Sequence, residues 1–262
     1  MTFTDLDFAC FSGTGNTLRV ARRMAETFRQ RGVTVRLHRM EATDPGALGS
    51  GGAVGLACPV AAQGTYPFVW AFVRALPPGA GRPAFFVDTL AHFSGGLVGP
   101  MRRIVAARGY RPLGACEIRM PNNFFPWFVS AETGARKVAR GLDRAGAFAN
   151  ALLDGRTRWG RVPLLSDAMG LSSQSGWAWA LLRRVRRLKL DAEACTKCGL
   201  CARLCPVANI RQEDGPPTFG SRCVLCMRCA AYCPAGAVTS GFGARARYHA
   251  VEATELLHED DT

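Results

Sequence analysis

The feature that most constrains this chain is a pair of cysteine runs near its C-terminal end. Both runs have the spacing C-x2-C-x2-C-x3-C-P. The first contains Cys195, Cys198, Cys201 and Cys205, and the second contains Cys223, Cys226, Cys229 and Cys233. The runs are 28 residues apart, and the same offset relates Pro206 to Pro234 and Ile210 to Val238. This repeat indicates an internal duplication.

Eight thiols at this spacing are typical ligands of two [4Fe-4S] clusters. Disulfides and zinc are the alternatives. Residues 1–7 have no basic residue before an apolar segment, so we expect a reducing cytosol, in which disulfides are unusual. A zinc ribbon leaves the third cysteine and the x3-C-P of each run without a role. The other three of the 11 cysteines, Cys10, Cys58 and Cys116, lie in apolar runs and are predicted to be small buried hydrophobes.

The first part of the chain alternates apolar runs of strand length with helical patterns. Strands are predicted over 3–11, 33–37, 53–58, 83–87 and 113–120, and helices over 18–28, 67–76, 97–107 and 132–153. This alternation predicts an α/β fold with a doubly wound, five-stranded parallel sheet covered on both faces. The ligand of such a sheet binds at the carboxyl ends of the strands. A small α+β module around the cysteines is expected to follow.

The turn after the first strand is the candidate anion site. It contains Ser12, Gly13, Thr14, Gly15, Asn16 and Thr17. The helix that follows offers its N-terminus, which favours an anion. A P-loop is excluded because no lysine follows Gly15, and a dinucleotide fingerprint is excluded because Leu18 stands at the third glycine position. The neutral hydroxyl and amide donors of this turn fit a single terminal phosphate.

The sequence Phe11-Ser-Gly-Thr-Gly-Asn-Thr17 resembles the FMN phosphate loop of flavodoxins, and the whole chain resembles fusions of a flavodoxin-like domain with a two-cluster ferredoxin. The resemblance implies FMN and two further loops that flank its ring. The implied FMN contacts in these loops are Pro59, Val60 and Ala61 in the first, and Thr89, Phe93, Gly95 and Gly96 in the second. The first loop departs from the family, since Ala61 and Ala62 stand where an aromatic is common, whereas Phe93 is placed to stack.

The resemblance also implies that the two cysteine runs exchange ligands. One cluster takes Cys195, Cys198, Cys201 and Cys233, and the other takes Cys223, Cys226, Cys229 and Cys205. The corresponding domains are a flavodoxin-like FMN domain over 1–153, a linker over 154–190, a 2[4Fe-4S] ferredoxin-like domain over 191–250 and an acidic tail over 251–262.

The formal net charge of +13 is concentrated in the linker. The segment from Arg156 to Lys189 contains eight Lys or Arg residues and only one acidic residue, Asp167. Residues 177–190 predict a basic amphipathic helix. We expect its apolar stripe to pack on the flavodoxin-like domain; docking of an acidic redox partner and contact with anionic lipid are the alternatives. The predicted stripe consists of Trp177, Leu181, Val185 and Leu188.

These features predict a cytoplasmic electron-transfer protein that relays electrons between two [4Fe-4S] clusters and FMN, to or from a partner redox enzyme. FMN exchanges one or two electrons and each cluster exchanges one, so no catalytic acid, base or nucleophile is required. A nucleic-acid partner is not expected. Two alternatives stay open: an FMN-dependent reductase of a quinone, nitro compound or enone, and a redox sensor whose clusters control partner binding.

Overall fold

The computed structural model describes residues 1–49, 52–93, 95–123, 130–160, 170, 174–185, 187–239 and 248–257. These residues form two compact units. The first unit contains 1–12, 16–121 and the described part of 130–175, and the second contains 13–15, 122–123 and the described part of 176–257. The predicted domain limits stay a prediction. No helix in the described ranges is long and apolar enough to cross a membrane.

The first unit is built on one parallel sheet. Its strands are β1 (Asp5–Cys10), β2 (Thr34–Arg39), β3 (Ala53–Pro59), β4 (Pro83–Leu90) and β5 (Arg111–Arg119). They lie in the order β2-β1-β3-β4-β5, and every neighbouring pair is parallel. The predicted doubly wound, five-stranded parallel sheet is confirmed.

Within the described residues, four helices with complete bounds accompany this sheet. They are α1 (Asn16–Gln30), α2 (Pro67–Arg74), α3 (Val98–Ala107) and α4 (Ala131–Leu153). Helix α1 contacts α4, and α2 contacts α3. The Ser130 hydroxyl caps α4 by accepting from the Thr133 N–H, and Pro67 opens α2 at a position where its missing N–H costs no hydrogen bond.

Aromatic side chains fill the core between the sheet and helix α1. The rings of Phe8 and Phe85 meet edge to face at 5.2 Å, and those of Phe28 and Phe85 lie 5.7 Å apart. Gly55 of β3 faces this cluster, and a Cβ built there would lie 2.4 Å from the Phe85 ring. The missing side chain of Gly55 therefore makes room for the aromatic core.

The three cysteines outside the runs are buried, which confirms the prediction for Cys10, Cys58 and Cys116. Cys116 is nevertheless not a purely apolar group, because the Arg144 Nε–H donates to its sulfur at 3.3 Å.

The second unit consists of short elements. Its helices are α5 (Gly176–Val185), α6 (Leu200–Arg203) and α7 (Arg228–Ala231), and its strands are β6 (Lys189–Leu190), β7 (Ile210–Arg211), β8 (Thr218–Phe219) and β9 (Val238–Thr239). Strand β6 pairs with β9 and β7 with β8, both antiparallel. Helix α7 repeats α6, and β9 repeats β7, at the 28-residue offset of the cysteine runs.

The duplication extends to unusual backbone angles. Positive φ angles occur at three equivalent pairs, namely Lys197 (58°) and Leu225 (55°), Gly199 (74°) and Met227 (68°), and Ala208 (46°) and Gly236 (65°). Side chains with a Cβ adopt this region only at a cost. Both halves therefore follow the same backbone path even where one half carries glycine and the other does not, and the predicted duplication is confirmed.

The prediction of a helix over 177–190 is wrong at its C-terminal end. Helix α5 ends at Val185, and Lys189–Leu190 form strand β6 instead. Strand β6 provides the backbone hydrogen-bond partners of β9, and this pairing between distant segments outweighs the local helical pattern.

The predicted burial of the apolar stripe is also wrong for three of its four residues, whereas the fourth, Leu188, is half-buried and packs on the apolar cluster of the second unit. Trp177, Leu181 and Val185 are 70%, 55% and 65% exposed, and Trp179 is the buried residue of α5. Both sides of this helix carry apolar side chains, so periodicity alone did not decide which side is buried.

Candidate functional site

The second unit contains two pockets, each lined by four cysteines. The first pocket is lined by Cys195, Cys198, Cys201 and Cys233, and the second by Cys205, Cys223, Cys226 and Cys229. The structure thus brings together both crossed sets implied by the resemblance. Their role as iron ligands stays a prediction.

The donor chemistry of the second pocket fits an iron–sulfur group. The Asn209 N–H donates to the Cys205 sulfur at 3.2 Å, and the Leu225 N–H donates to the Cys223 sulfur at 3.4 Å. Such bonds to ligand sulfurs orient the thiolates and tune the bound group. In the described ranges, no three His, Cys, Asp or Glu side chains lie close enough together to bind one metal ion. A [4Fe-4S] cluster does not require such a group, because each of its four thiolate ligands binds a different iron atom.

The second pocket is the more buried of the two. Cys226 and Cys229 are buried, whereas Cys198 of the first pocket is exposed. Burial raises the pKa of the Cys226 thiol to about 12, against the opposing charge of Arg228, and raises the pKa of Cys229 well above its ordinary value. Metal binding must displace these protons.

The candidate phosphate loop (residues 12–17) lies between β1 and α1, and its last two residues already belong to the helix. Its four polar side chains, Ser12, Thr14, Asn16 and Thr17, are all buried. The Asn16 amide donates to the Pro121 carbonyl at 3.0 Å. Gly15 has φ of +105°, a conformation for which glycine is favoured.

Two hydroxyl groups test whether this loop fits a phosphate. The Thr14 hydroxyl is buried and has no hydrogen-bond partner among the described residues. Burying a hydroxyl without a hydrogen bond costs free energy, and a bound ligand that hydrogen-bonds to it would remove this cost. The Thr17 hydroxyl lies 2.7 Å from the Thr89 hydroxyl, and either can donate. Since these polar groups lie at the N-terminus of α1, they fit the phosphate of FMN.

Backbone hydrogen bonds join the two predicted ring loops. Gly96 N–H donates to the Gln63 carbonyl at 2.7 Å. Of the predicted contacts, Pro59 and Thr89 lie inside β3 and β4 rather than in loops, because the two strands pair as far as these residues. Val60 follows β3, and its N–H donates to the Thr89 carbonyl at 2.9 Å.

The first ring loop is a strained two-residue turn. Ala61 and Gly64 exchange both backbone hydrogen bonds, and the central residues Ala62 and Gln63 have φ of 49° and 62°. Two consecutive positive angles define a type I′ turn, which favours glycine or asparagine. Strain of this kind is often retained where it serves a site.

The second ring loop places Phe93 with 59% of its surface exposed. Gly95 has φ of +59°, and Ser94 lies outside the described residues. Phe93 is therefore accessible for stacking, and its predicted contact with a flavin stays a prediction.

Sequence reasoning missed Asp88 of β4. This carboxyl is fully buried, and neither oxygen has a hydrogen-bond partner in the described part of the chain. It lies opposite Cys58 on β3 and Glu117 on β5. Burial, followed by the charge of Glu117, raises the pKa of Asp88 well above its ordinary value. The sequence did contain a signal for this residue, because Asp88 is a single acidic residue directly after the apolar run 84–87.

Arg228 was missed as well. It is 2% exposed and lines the second pocket. The 28-residue offset places it at the position of Leu200, so an alignment of the two halves would have singled it out.

The strand order and the position of the loop define the class of the first unit. The order β2-β1-β3-β4-β5, with a polar loop at the carboxyl end of β1, is that of flavodoxin-like sheets. Residues 189–238 match the family described as "4Fe-4S dicluster domain". The chain therefore joins a flavodoxin-like unit to a 4Fe-4S dicluster domain, as the resemblance implied, and has a redox, electron-transfer role.

Several solved structures are similar to the first unit. A flavodoxin from Streptococcus pneumoniae TIGR4 has 17% identity, with 57% of this chain and 98% of that chain covered and a TM-score of 0.45. Flavodoxin 2 from Bacillus cereus has 16% identity, the same coverage and the same TM-score. The rubredoxin oxygen:oxidoreductase from Desulfovibrio gigas has 19% identity and a TM-score of 0.42, with 58% of this chain and only 37% of that chain covered. A comparison with curated proteins found no match.

Proposed function

We propose that this protein is a cytoplasmic electron carrier that binds FMN at the candidate phosphate loop and one [4Fe-4S] cluster in each four-cysteine pocket. When bound, FMN exchanges one or two electrons and each cluster exchanges one, so the protein couples one-electron and two-electron partners. The observation that carries the proposal is the pair of pockets, each lined by three cysteines of one run and the fourth of the other.

The residues of the chain have three tasks in this function. The eight thiolates hold iron, and backbone N–H groups donate to the sulfurs of Cys205 and Cys223. The hydroxyls of Thr14 and Thr17 hold the phosphate at the N-terminus of α1. The apolar residues of the pockets, such as Val224 and Phe219, exclude water from the redox groups, which lowers their reduction potentials.

Anaerobic reconstitution tests the proposal directly. We expect one FMN and eight iron atoms per chain, since each of two clusters contains four. Thr14→Val removes this hydroxyl and should weaken FMN binding about 10- to 150-fold, because one hydrogen bond to a charged group contributes about 1.5–3 kcal/mol. Thr34→Val, on the exposed start of β2, is the matched control. A wild-type chain that binds iron but no FMN would overturn the flavin part.

A second function, an FMN-dependent reductase of an organic acceptor, is favoured by the open ring loops. Ala61 and Ala62 provide no aromatic side chain, and Phe93 is exposed. Stopped-flow oxidation of the reduced protein by quinones, nitroaromatics and enones separates the two functions. An acceptor that reacts faster than a generic one-electron dye supports the reductase, and equal rates support the carrier.

We also propose that helix α5 docks an acidic redox protein. Trp177, Leu181 and Val185 form an exposed apolar stripe, and the exposed Arg184 and Arg187 carry positive charge beside or after it. A negatively charged partner surface complements this charge and is attracted over long distances at low salt. The apolar stripe then supplies the desolvated centre of the contact.

The docking proposal is tested with a reduced acidic ferredoxin as electron donor. Arg184→Glu combined with Arg187→Glu should lower the second-order rate of electron transfer about tenfold at low ionic strength and less at high salt. Arg102→Glu on the exposed side of α3 is the charge control. Unchanged donor rates together with lost binding to anionic phospholipid vesicles would instead assign the helix to a lipid surface.

A further inference from the structure

The two four-cysteine pockets differ by one buried charge. The duplicated halves place Leu200 and Arg228 at equivalent positions, each at the first residue of its short helix. Leu200 lines the first pocket, and Arg228 lines the second. The first pocket is also lined by Lys197, but that side chain is exposed to solvent, whereas Arg228 is buried. The difference between the two pockets is therefore a buried guanidinium group in the second.

The guanidinium group is held inside the second unit. Arg228 is 2% exposed, and its Nη1–H donates to the Leu204 carbonyl at 3.3 Å. Leu204 directly precedes Cys205, which is the cysteine that the first run contributes to the second pocket. Burial of a cation is costly unless negative charge compensates for it, and four thiolates would bring such charge into the pocket.

A fixed positive charge favours the more reduced state of a group beside it. A reduced one-electron mediator in the titration described below would give one electron to the cluster in a pocket and would itself be oxidised. The cluster would gain one negative charge, and no bond of the protein breaks and no proton moves. In the second pocket, burial disfavours the added charge, whereas the Arg228 guanidinium stabilises it. In the first pocket, Leu200 provides no such stabilisation, the charge of the exposed Lys197 is screened by solvent, and Cys198 is exposed to water.

We propose that the charge of Arg228 tunes the reduction potential of the cluster held by the second pocket. It raises this potential above the value that burial alone would set. Electrons that enter through the exposed first pocket then collect in the second. This inference rests on the proposed function, because it requires a cluster in each pocket.

The experiment is an EPR-monitored redox titration of the reconstituted chain with mediators. Arg228→Gln keeps a donor for the Leu204 carbonyl and removes the charge, so one of the two potentials should fall by at least about 59 mV, which is tenfold in the one-electron equilibrium constant. Arg228→Lys keeps the charge and should restore most of the potential. Leu200→Arg copies the charge into the first pocket and should raise the other potential.

Iron counting separates this inference from the proposed function. Fewer than eight iron atoms in the wild-type chain would contradict the function itself. Eight iron atoms with both potentials unchanged in Arg228→Gln would overturn the role of Arg228 alone. Equal shifts in Arg228→Gln and Arg228→Lys would also overturn it, since they would assign the effect to packing and not to charge.

Discussion

Cys205 and Cys233 each belong to one cysteine run but line the pocket of the other run. Each is the fourth cysteine of its run, and each is followed by the proline that ends the local turn. Because each pocket contains three cysteines of one run and the fourth cysteine of the other, a cluster in either pocket would link the two halves of the second unit. Loss of one thiolate should therefore damage the pocket of the opposite half.

Cys233→Ser should lose the iron of the first pocket, and Cys205→Ser the iron of the second. Each variant should keep about half of the wild-type iron, with different remaining EPR signals, because a different cluster survives. Cys116→Ser, in a buried position outside the runs, should keep all of it. Loss of the same signal in both ligand variants would contradict crossed ligation.

Asp7 of β1 stabilises the first unit in a pH-dependent way. Its buried carboxylate accepts from Arg36 Nε–H at 2.7 Å and lies 2.9 Å from His38 Nε2. Burial alone would raise the pKa of Asp7, but the hydrogen bonds from Arg36 and His38 outweigh burial and hold it below 3.8. A lowered folded-state pKa means that this stabilisation is complete above about pH 4 and is lost as the pH falls through the folded-state value.

Asp7→Asn should lower the free energy of unfolding at pH 7 by about 1–3 kcal/mol. The difference from the wild type should shrink as the pH falls below 4, as measured by urea unfolding across that range. Glu26→Gln removes an exposed ion pair with Arg23 and should change stability by less than about 1 kcal/mol. A difference that stays constant down to pH 2 would refute the role of Asp7.

At the scale of elements, strand β3 shows how a small residue controls the packing of the sheet. Gly55→Ala would place a methyl group 2.4 Å from the Phe85 ring and 2.7 Å from the Phe8 ring. We expect a loss of about 1–3 kcal/mol in stability from this overpacking. Gly160→Ala meets no atom within 4 Å and should be nearly neutral in the same thermal unfolding experiment. Equal stabilities of the two variants would contradict this packing.

Helix α5 and strand β6 show where local patterns fail. The sequence from 177 to 190 has helical periodicity, yet Lys189–Leu190 pair with Val238–Thr239. The pairing partner lies about 50 residues further along the chain, so a local window contains no information on it. Strands β1, β3 and β4 were predictable because each is a buried apolar run of strand length.

At the scale of the whole molecule, the two units differ in how they are stabilised. The first has a five-stranded sheet with a large aromatic core. The second has two-residue strands and a small apolar cluster of Ile210, Met227, Cys229, Ala230 and Val238. A core of this size is insufficient alone, and bound metal commonly supplies the missing stability.

Anaerobic removal of iron with a chelator should therefore unfold the second unit and leave the first folded. Hydrogen exchange followed by mass spectrometry should show lost protection over residues 195–233 and retained protection in strands β1, β3 and β4. Cluster reconstitution should restore the lost protection. Full protection of 195–233 in the iron-free chain would show that this unit folds without metal.

The sequence by itself determined the sheet, the duplication and the eight cysteines, because periodicity, repetition and ligand spacing are local properties of a chain. It did not determine which side of α5 is exposed, the burial of Asp88, or the pairing of β6, since each depends on segments distant in sequence. Tertiary structure also decided that the positive charge of Arg228 is buried beside a cysteine pocket. Burial is a property of the folded environment, and this is why an ordinary arginine in the sequence becomes a candidate for tuning electron transfer.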